Sequence, residues 1–254
     1  MINNIVISNR SNIKLSIRLN VADDRNKIVF LLHGLGSRNN YPHMLVLEEY
    51  FSKYKYNIIN IDATNSLNES GSSVEGVTFS GYINDLEDVI EWAKKQSFYK
   101  EPFALGGQSL GAEAVVYYAA MNPNKVELLV SLAFPWLNGE LESTCNKRVN
   151  DINNKGYYEQ ISKSTGRTLI IKKNYLEDLK KYNLESVLKK ITARTCIIVG
   201  DKDSKYHIDN NKKLFAELNC EKELYILEDV PHDLANEDNH KVKLENALNQ
   251  FLSK

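Results

Sequence analysis

The pattern of apolar and polar positions predicts short buried strands that alternate with helices. Residues 5–8 and 13–19 alternate apolar and polar side chains around a polar turn, which predicts an antiparallel hairpin. Short, largely apolar runs further along the chain are typical of strands buried inside a sheet. These runs lie at 27–32, 56–61, 102–105, 126–133, 194–199 and 223–227.

Helical spacing of apolar residues fills most of the intervals between these runs. Alternating strands and helices form a mostly parallel sheet with helices on both faces, so the predicted fold class is α/β. In such sheets the loops at the carboxyl ends of the strands form the functional site. The predicted helices span 44–53, 78–96, 110–121, 210–218 and 241–252.

The segment 138–192 breaks this alternation. It is polar and charged, with a small hairpin predicted at 168–172 and helical spacing over 175–190. All of the alternating elements lie outside it, and no linker indicates a second domain. We therefore predict one core formed by residues 1–137 and 193–254, with 138–192 as an insertion.

Composition disfavours several classes of function. The 32 Lys and Arg residues nearly balance the 33 Asp and Glu residues, so no basic excess indicates a nucleic-acid partner. The apolar runs are too short to span a membrane and no signal peptide is recognisable, which indicates a cytoplasmic protein. The three cysteines have neither metal-binding nor disulfide spacing, and no glycine-rich nucleotide loop is present. We therefore expect no metal and no cofactor.

The strongest chemical signal is the sequence Gly-Gln-Ser-Leu-Gly at 107–111, between a predicted strand and a predicted helix. In this context the G-x-S-x-G pattern forms a tight, strained turn that holds the Ser109 hydroxyl above the sheet. The same turn places the backbone N–H of Leu110 near that hydroxyl, at a helix N-terminus. The alternative is that the two glycines only allow close packing of strand and helix.

Three further motifs follow predicted strands. His-Gly-Leu-Gly at 33–36 allows the backbone to bend, so that the N–H of Leu35 points at a developing oxyanion. Gly-Asp-Lys-Asp at 200–203 and Pro-His-Asp at 231–233 supply carboxylates and an imidazole late in the chain. A serine nucleophile needs such a base, and the base needs a carboxylate that fixes its tautomer.

Five histidines compete for the role of base. His33 precedes the nucleophile and more simply satisfies backbone groups of its own loop. His43 and His207 lie at the start of helical segments, and His240 begins the last predicted helix, where we expect it to be exposed. Only His232 lies in a loop after a late strand, and it is the predicted base.

The carboxylate candidates are Asp201 and Asp203. Asp203 is favoured, because Asp201 can turn inward and hydrogen-bond its own loop. The chain order Ser109, Asp203, His232 is that of the α/β-hydrolase triad. On these four motifs the chain resembles the α/β-hydrolase superfamily, and within it the serine-hydrolase branch of carboxylesterases, cinnamoyl (feruloyl) esterases and monoacylglycerol lipases. The resemblance covers nearly the whole chain.

This resemblance implies the α/β-hydrolase fold and a role for each motif. The N–H groups of Leu35 and Leu110 would form the oxyanion hole, and 138–192 would be a cap or lid. The family's Gly-x-x-Asp motif favours Asp203 as the acid, and its late histidine favours His232 as the base. Apolar and aromatic cap residues are expected either to wall an acyl pocket or to pack the cap onto the core: Tyr157, Tyr158, Leu169, Ile171, Tyr175 and Leu179.

Three places depart from the family pattern. Gln108 stands where these enzymes often have His before the nucleophile, and Tyr206-His207 stands where they often have Val-Pro. Residues 62–65 lack the usual glycines. None of these changes removes a catalytic group, but they weaken any transfer of substrate class. The residues expected to contact the substrate are Gln108, Phe134, Trp136 and Tyr206.

Together these features predict a serine hydrolase that cleaves a small-molecule carboxylic ester through an acyl-enzyme. A thioesterase, a peptidase or a lactonase would use the same three residues. A non-catalytic binding protein would keep the α/β-hydrolase fold alone. The physiological substrate and the oligomeric state stay open.

Overall fold

An eight-stranded sheet forms the centre of the molecule. The structure is a computed structural model that describes residues 2–67, 70–71, 73–136, 146–162 and 166–254, with only the backbone of 146–149. In spatial order the strands are β1 (Asn3–Ser8), β2 (Lys14–Asn20), β4 (Tyr56–Asp62), β3 (Lys27–Leu32), β5 (Phe103–Gln108), β6 (Val126–Leu132), β9 (Arg194–Gly200) and β10 (Lys222–Leu227).

The sheet is parallel from β4 to β10, and β2 runs antiparallel to both of its neighbours, β1 and β4. The central strand β3 is buried from Ile28 to Leu32, which explains its uninterrupted apolar run. The predicted front hairpin and the mostly parallel α/β sheet are both confirmed. Parallel strands place their carboxyl ends at one edge, so the loops after β3, β5, β9 and β10 lie on one side.

Helices cover both faces of the sheet. Residues of α1 and α7 belong to the apolar cluster on one face, and residues of α2, α3 and α6 belong to the cluster on the other. None of the described helices is long and apolar enough to cross a membrane. The helices described are α1 (Pro42–Lys53), α2 (Phe79–Ala93), α3 (Leu110–Met121), α4 (Asn146–Lys155), α5 (Lys173–Leu179), α6 (Lys205–Glu217) and α7 (Asp238–Leu252).

The predicted insertion carries its own small sheet. Strands β7 (Tyr157–Ile161) and β8 (Thr168–Lys172) pair antiparallel, apart from the main sheet. The prediction of a hairpin within 168–172 is therefore wrong. This segment is the single strand β8, and the hairpin is formed by β7 and β8 together. Its partner β7 has polar Glu159 and Gln160 at its centre, and so lacks the apolar run that marks a strand.

The helix predicted over 175–190 forms only in part of that range. The helix α5 ends at Leu179, and a 3-10 turn forms later, at Leu188–Lys190. Between them the Asn183 side chain accepts a hydrogen bond from the Ser186 N–H at 3.2 Å, a local bond that competes with helix formation. The first part of the insertion, 138–145, lies outside the described residues, and the division into core and cap stays a prediction.

Helix α6 begins earlier than the apolar spacing predicts, at Lys205 instead of residue 210. The cause is an N-cap, because the Ser204 hydroxyl accepts a hydrogen bond from the His207 N–H at 3.2 Å. His207 is therefore in the first helical turn, next to the loop that carries Asp203. This early start brings one more titratable side chain to the carboxyl edge of the sheet.

A buried carboxylate fastens the front hairpin to the loop after β4. Asp85 of α2 accepts hydrogen bonds from the Thr64 N–H and hydroxyl, each at 2.7 Å. It also accepts a bond from the Asn9 side-chain amide at 3.2 Å. Burial is the largest influence on Asp85 and outweighs these bonds, so the pKa of Asp85 is raised to about 6.

We expect this raised pKa to make stability depend on pH. The protonated form is favoured in the folded state, so the contribution is complete below the ordinary aspartate pKa and is lost as pH rises through about 6. The loss should be about 2 kcal/mol between pH 4 and pH 7. Urea unfolding at several pH values measures it. The control is Asp85→Asn, which cannot titrate; equal pH slopes for the two proteins would contradict the prediction.

Candidate active site

Ser109 lies in a strained turn between β5 and α3. Its backbone has φ 52° and ψ −121°, a conformation that few non-glycine residues adopt. The Ser109 N–H donates to the Leu132 carbonyl at 2.9 Å, and the Ser109 carbonyl accepts from Glu113 in the first turn of α3. The strand, the neighbouring strand and the helix thus hold this turn together, and they leave the Ser109 side chain half-buried at the carboxyl edge.

Gly111, two residues after Ser109, allows α3 to pack closely against β3. A Cβ atom on Gly111 would be 2.1 Å from the Leu32 carbonyl oxygen, which is part of the backbone and cannot move aside. This contact seats α3 on the end of β3, where the 33–36 loop begins. At Gly34 a Cβ atom would be 3.1 Å from Cβ of Ser109, so this loop passes directly beside the serine.

The side chain of His33 links the 33–36 loop to the backbone after β4. Its Nδ1–H donates to the Gly34 carbonyl at 2.8 Å, and its Nε2 accepts from the Ala63 N–H at 3.0 Å. The ring is fully buried, and burial lowers the pKa of His33. A neutral ring with both nitrogens bonded to backbone groups has no free lone pair for a substrate, so the bonds fit a structural role.

Leu110 follows Ser109 directly in the chain, and Leu35 follows Gly34 in the loop that passes beside it. Leu110 is the first residue of α3, where backbone N–H groups have no partner within the helix. Leu35 lies in the loop that passes beside Ser109, with its side chain packed against the core. Their positions are compatible with two N–H donors near the serine hydroxyl, while their role as an oxyanion hole stays a prediction.

Asp203 and His232 form a short hydrogen bond. His232 Nδ1 lies 2.7 Å from Asp203 Oδ2, and the Asp203 side chain is only 4% exposed. The loops that carry them are joined through the backbone, because the Lys202 N–H donates to the Val230 carbonyl at 3.0 Å. Asp201, the alternative carboxylate, lies instead beside Lys202, 3.9 Å from its ammonium nitrogen.

Gln108 occupies the other side of the His232 ring. Its Nε2 atom lies 3.2 Å from His232 Nε2. Since the carboxylate of Asp203 can only accept, Nδ1 carries the proton, and Nε2 is left to accept a bond from the Gln108 amide. The predicted base is thus paired with the neighbour of Ser109, and in the predicted triad the Ser109 hydroxyl would have to replace that amide. Catalytic hydrogen bonds often form only when substrate binds.

His207 joins this cluster in a role that the sequence did not predict, since it was considered there only as a competing base. Its Nδ1 lies 2.8 Å from Asp203 Oδ1, the carboxylate oxygen that His232 does not use. The two imidazole rings are stacked, with centroids 4.6 Å apart and an angle of 27° between their planes. The available signal was the spacing of four residues from Asp203 to His207, combined with a serine able to cap a helix between them.

The two imidazoles determine the charge of Asp203. Burial alone would raise the pKa of this carboxyl, but the hydrogen bonds from His207 and His232 outweigh it and hold the pKa of Asp203 below its usual range. Asp203 is therefore ionised at neutral pH and able to stabilise a protonated His232. The stability that these bonds add is present at neutral pH and is lost only as pH falls through the lowered pKa.

The ligand atoms of Asp203, His207 and His232 all lie within 4.8 Å of one another. Two imidazoles and one carboxylate can bind a transition metal. Here, however, each imidazole uses its Nδ1 to donate to the carboxylate, so a cation at these atoms would have to displace both protons. The arrangement fits a hydrogen-bond network better than a metal site.

The two remaining histidines lie within the protein interior. His43 in α1 is 1% exposed, and burial lowers its pKa to about 3, so it is neutral. His240 is also buried, at 8% exposure, and the expectation that it is exposed is wrong. The reason is that α7 begins at Asp238 instead of residue 241, which places His240 within a turn that packs on the core.

The other predicted substrate contacts lie on the loop after β6 and on α6. Phe134 and Trp136 are buried in the main apolar cluster, with their rings edge to face. The Tyr206 hydroxyl donates to the Trp136 carbonyl at 2.7 Å, and the Asn211 side chain bonds both backbone groups of Phe134. These contacts fix the loop, and a role in binding substrate stays a prediction.

The small sheet of the insertion packs onto the loop beside Ser109. The Ser162 hydroxyl donates to the Gly36 carbonyl at 2.9 Å. The Leu169 side chain lies directly against Gly36 as well. Five of the six residues considered for an acyl pocket are buried in the main apolar cluster, which favours the packing alternative: Tyr158, Leu169, Ile171, Tyr175 and Leu179.

Comparison with known proteins gives consistent results. A family model described as serine aminopeptidase, S33, matches residues 23–164. No curated protein sequence matches significantly. The chain is similar in structure to Est1E from Butyrivibrio proteoclasticus with bound ferulic acid, with a TM-score of 0.82, 17% identity and coverage of 98% of this chain and 100% of that one.

Two further solved structures are similar over almost their whole length. For the mouse alpha/beta hydrolase domain-containing protein 10, the TM-score is 0.79 at 16% identity, covering 99% of this chain and 98% of that one. For dienelactone hydrolase from Anabaena variabilis the TM-score is 0.67 at 16% identity, covering 100% of this chain and 97% of that one.

At these identities the likenesses establish the fold, and the predicted α/β-hydrolase fold is confirmed. With more than half of its length matched by the family model, the chain belongs to the serine aminopeptidase S33 family of α/β-hydrolases.

Proposed function

We propose that this protein is a serine hydrolase that cleaves a carboxylic ester through an acyl-enzyme. The observation that carries the proposal is the placement of Ser109 in a strained turn, directly after a residue that contacts the His232–Asp203 pair. A weakly nucleophilic hydroxyl, an imidazole and a buried, ionised carboxylate are the three groups that acyl transfer requires. They lie at one edge of the sheet, in the chain order of this fold.

In the first step the Ser109 hydroxyl displaces the Gln108 amide from His232 Nε2 and attacks the acyl carbon. His232 takes the hydroxyl proton while Asp203 fixes the ring and stabilises its positive charge. The N–H groups of Leu35 and Leu110 bind the oxyanion, and each such donor is worth about 3 kcal/mol in the transition state. The tetrahedral intermediate collapses when the carbon–oxygen bond to the alcohol breaks.

His232 then returns its proton to the departing alcohol, which leaves an ester on Ser109. A water molecule enters in the place of the alcohol and gives a proton to His232 as its oxygen attacks the acyl carbon. Collapse of this second intermediate releases the acid and restores the Ser109 hydroxyl. No cofactor is consumed in either half of the cycle.

Esters are the proposed substrates because two of the similar proteins are named with a carboxylic acid or a lactone. One similar structure holds ferulic acid in Est1E and another is a dienelactone hydrolase. A peptidase is the second candidate, and the observation that favours it is the family model's description as a serine aminopeptidase. The same triad serves either leaving group, so the substrate must be tested directly.

A fluorophosphonate probe tests the nucleophile first. We expect one adduct per chain by intact-mass spectrometry, located on Ser109 and missing in Ser109→Ala. Folded protein that takes up no probe would instead favour a non-catalytic binding protein. Phosphonylation requires an activated hydroxyl, so this outcome does not depend on knowing the physiological substrate.

A substrate panel then separates the enzyme classes. It contains p-nitrophenyl esters of increasing chain length, thioesters, lactones and aminoacyl p-nitroanilides, compared by kcat/KM. The highest values for esters are expected. If aminoacyl anilides are preferred, the ester assignment fails and the peptidase takes its place.

We further propose a cytoplasmic location. Cys196 and Cys220 carry free thiols, of which Cys196 is buried, as is common in a reducing compartment. Cys145 lies outside the described residues.

A further inference from the structure

His207 holds the carboxylate oxygen that the proposed base leaves free. Oδ1 of Asp203 accepts hydrogen bonds from His207 Nδ1 at 2.8 Å and from the Ser204 N–H at 2.7 Å. Oδ2 of Asp203 accepts a hydrogen bond from His232 Nδ1 at 2.7 Å. With donors on both oxygens, rotation of the carboxylate would break at least one charge-assisted bond, so its plane is fixed.

The ring of His207 also contacts the ring of His232 itself. The stacked rings lie 4.6 Å apart, with 18% of the His207 side chain and 15% of the His232 side chain exposed. One face of His232 is therefore covered by an imidazole that is tied to the same carboxylate. This limits the tilt of the His232 ring, as well as its rotation.

This contact depends on the residue type at position 207, because a side chain without a hydrogen-bond donor could not bond the carboxylate. The side chain reaches Asp203 because Ser204 starts α6 early and puts His207 in its first turn.

We propose that His207 is a positioning residue, whose Nδ1–H holds Asp203 in the orientation that aims His232 at Ser109. This inference rests on the proposed function and deepens it. His207 acts through Asp203 and takes no proton from the substrate. Its loss lowers the rate of the chemical step and leaves substrate binding unchanged, because small misplacements of a catalytic group reduce rates strongly.

Two substitutions separate the donor of His207 from its ring. His207→Phe keeps a ring that can stack but has no donor, and we expect kcat to fall about tenfold with KM unchanged, as for one lost bond to a charged group. His207→Asn loses the ring but can place its amide nitrogen where Nδ1 was, so we expect kcat within about twofold of the unsubstituted protein. The rate of fluorophosphonate labelling should follow kcat.

Asp209→Asn is the matched control on the same helix. It removes an exposed ion pair with Lys205 and should leave kcat unaltered. Proton NMR gives a second readout, since imidazole Nδ1–H protons bonded to a carboxylate resonate far downfield. His207→Phe should remove the His207 signal and shift that of His232, whereas a residue that only fills space would leave the His232 signal in place.

The proposal is overturned if His207→Phe retains the full kcat, or if His207→Asn is as slow as His207→Phe. Failure of the proposed function has a different signature. In that case the unsubstituted protein neither hydrolyses esters nor reacts with the fluorophosphonate, so the two failures cannot be confused.

Discussion

Replacement of Ser109 by alanine should lower the turnover of a short p-nitrophenyl ester by about six orders of magnitude, as in other serine hydrolases that lose the nucleophile. The methyl group cannot attack the acyl carbon, and water must then react without covalent catalysis. The fold should not change, because alanine and serine suffer the same steric strain at φ 52°. The thermal midpoint of the variant should therefore match that of the unsubstituted protein, and initial rates under saturating ester measure the loss.

A second serine provides the control. Ser131 is buried in β6, next to the strand that leads to Ser109, and its hydroxyl has no partner among the residues that the structure describes. Ser131→Ala should keep full turnover, because no proposed step uses this hydroxyl. If Ser109→Ala were as active as Ser131→Ala, Ser109 could not be the nucleophile and the acyl-enzyme mechanism would be abandoned.

Buried strands were the most predictable part of this fold. The boundaries of β3 agree with the apolar run at 27–32, because this central parallel strand is covered on both faces and is apolar at every buried position from Ile28 to Leu32. Strand β7 was missed for the opposite reason. It lies in the insertion, with Glu159 and Gln160 at its centre, and no alternating pattern marks it.

Helix starts were less predictable, and this limited the prediction of the site. Apolar spacing identifies the helix face that packs on the core, whereas the first turn depends on a cap such as Ser204. Apolar spacing therefore set the start of α6 at 210. His207 was expected at the start of a helix, but it was considered only as a competing base and not as a partner of Asp203. The start of α7 was likewise set too late, at 241 instead of Asp238, and His240 was expected to be exposed although it is buried.

Long-range contacts between loops could not be derived from local patterns. The order of the motifs predicted which residues meet at the carboxyl edge, because parallel strands end on the same side. The pairing of Gln108 with His232 depends on the rotamers of Gln108, at the end of β5, and of His232, in the loop after β10. Sequence spacing carries no information about such rotamers, so Gln108 was expected only to contact substrate.

Replacement of His232 by alanine should also lower ester turnover by about six orders of magnitude, since removal of the base alone costs about as much as removal of the whole triad. Without His232 the Ser109 hydroxyl has no acceptor for its proton, although the Asp203–His207 pair remains. Added imidazole should restore part of the activity, because it can occupy the space between Gln108 and Asp203 and supply the missing base. His240→Ala is the control, as this buried histidine lies outside the proposed mechanism.

The same variant also tests whether His207 can replace the base. Its Nδ1 is bound to Asp203 as in a functional triad, but it reaches the other carboxylate oxygen, and the contact of Gln108 is with the His232 ring instead. We therefore expect His232→Ala and the double variant His232→Ala/His207→Ala to be equally inactive. Residual turnover in the single variant that disappears in the double variant would make His207 an alternative base, and its role would then extend beyond positioning Asp203.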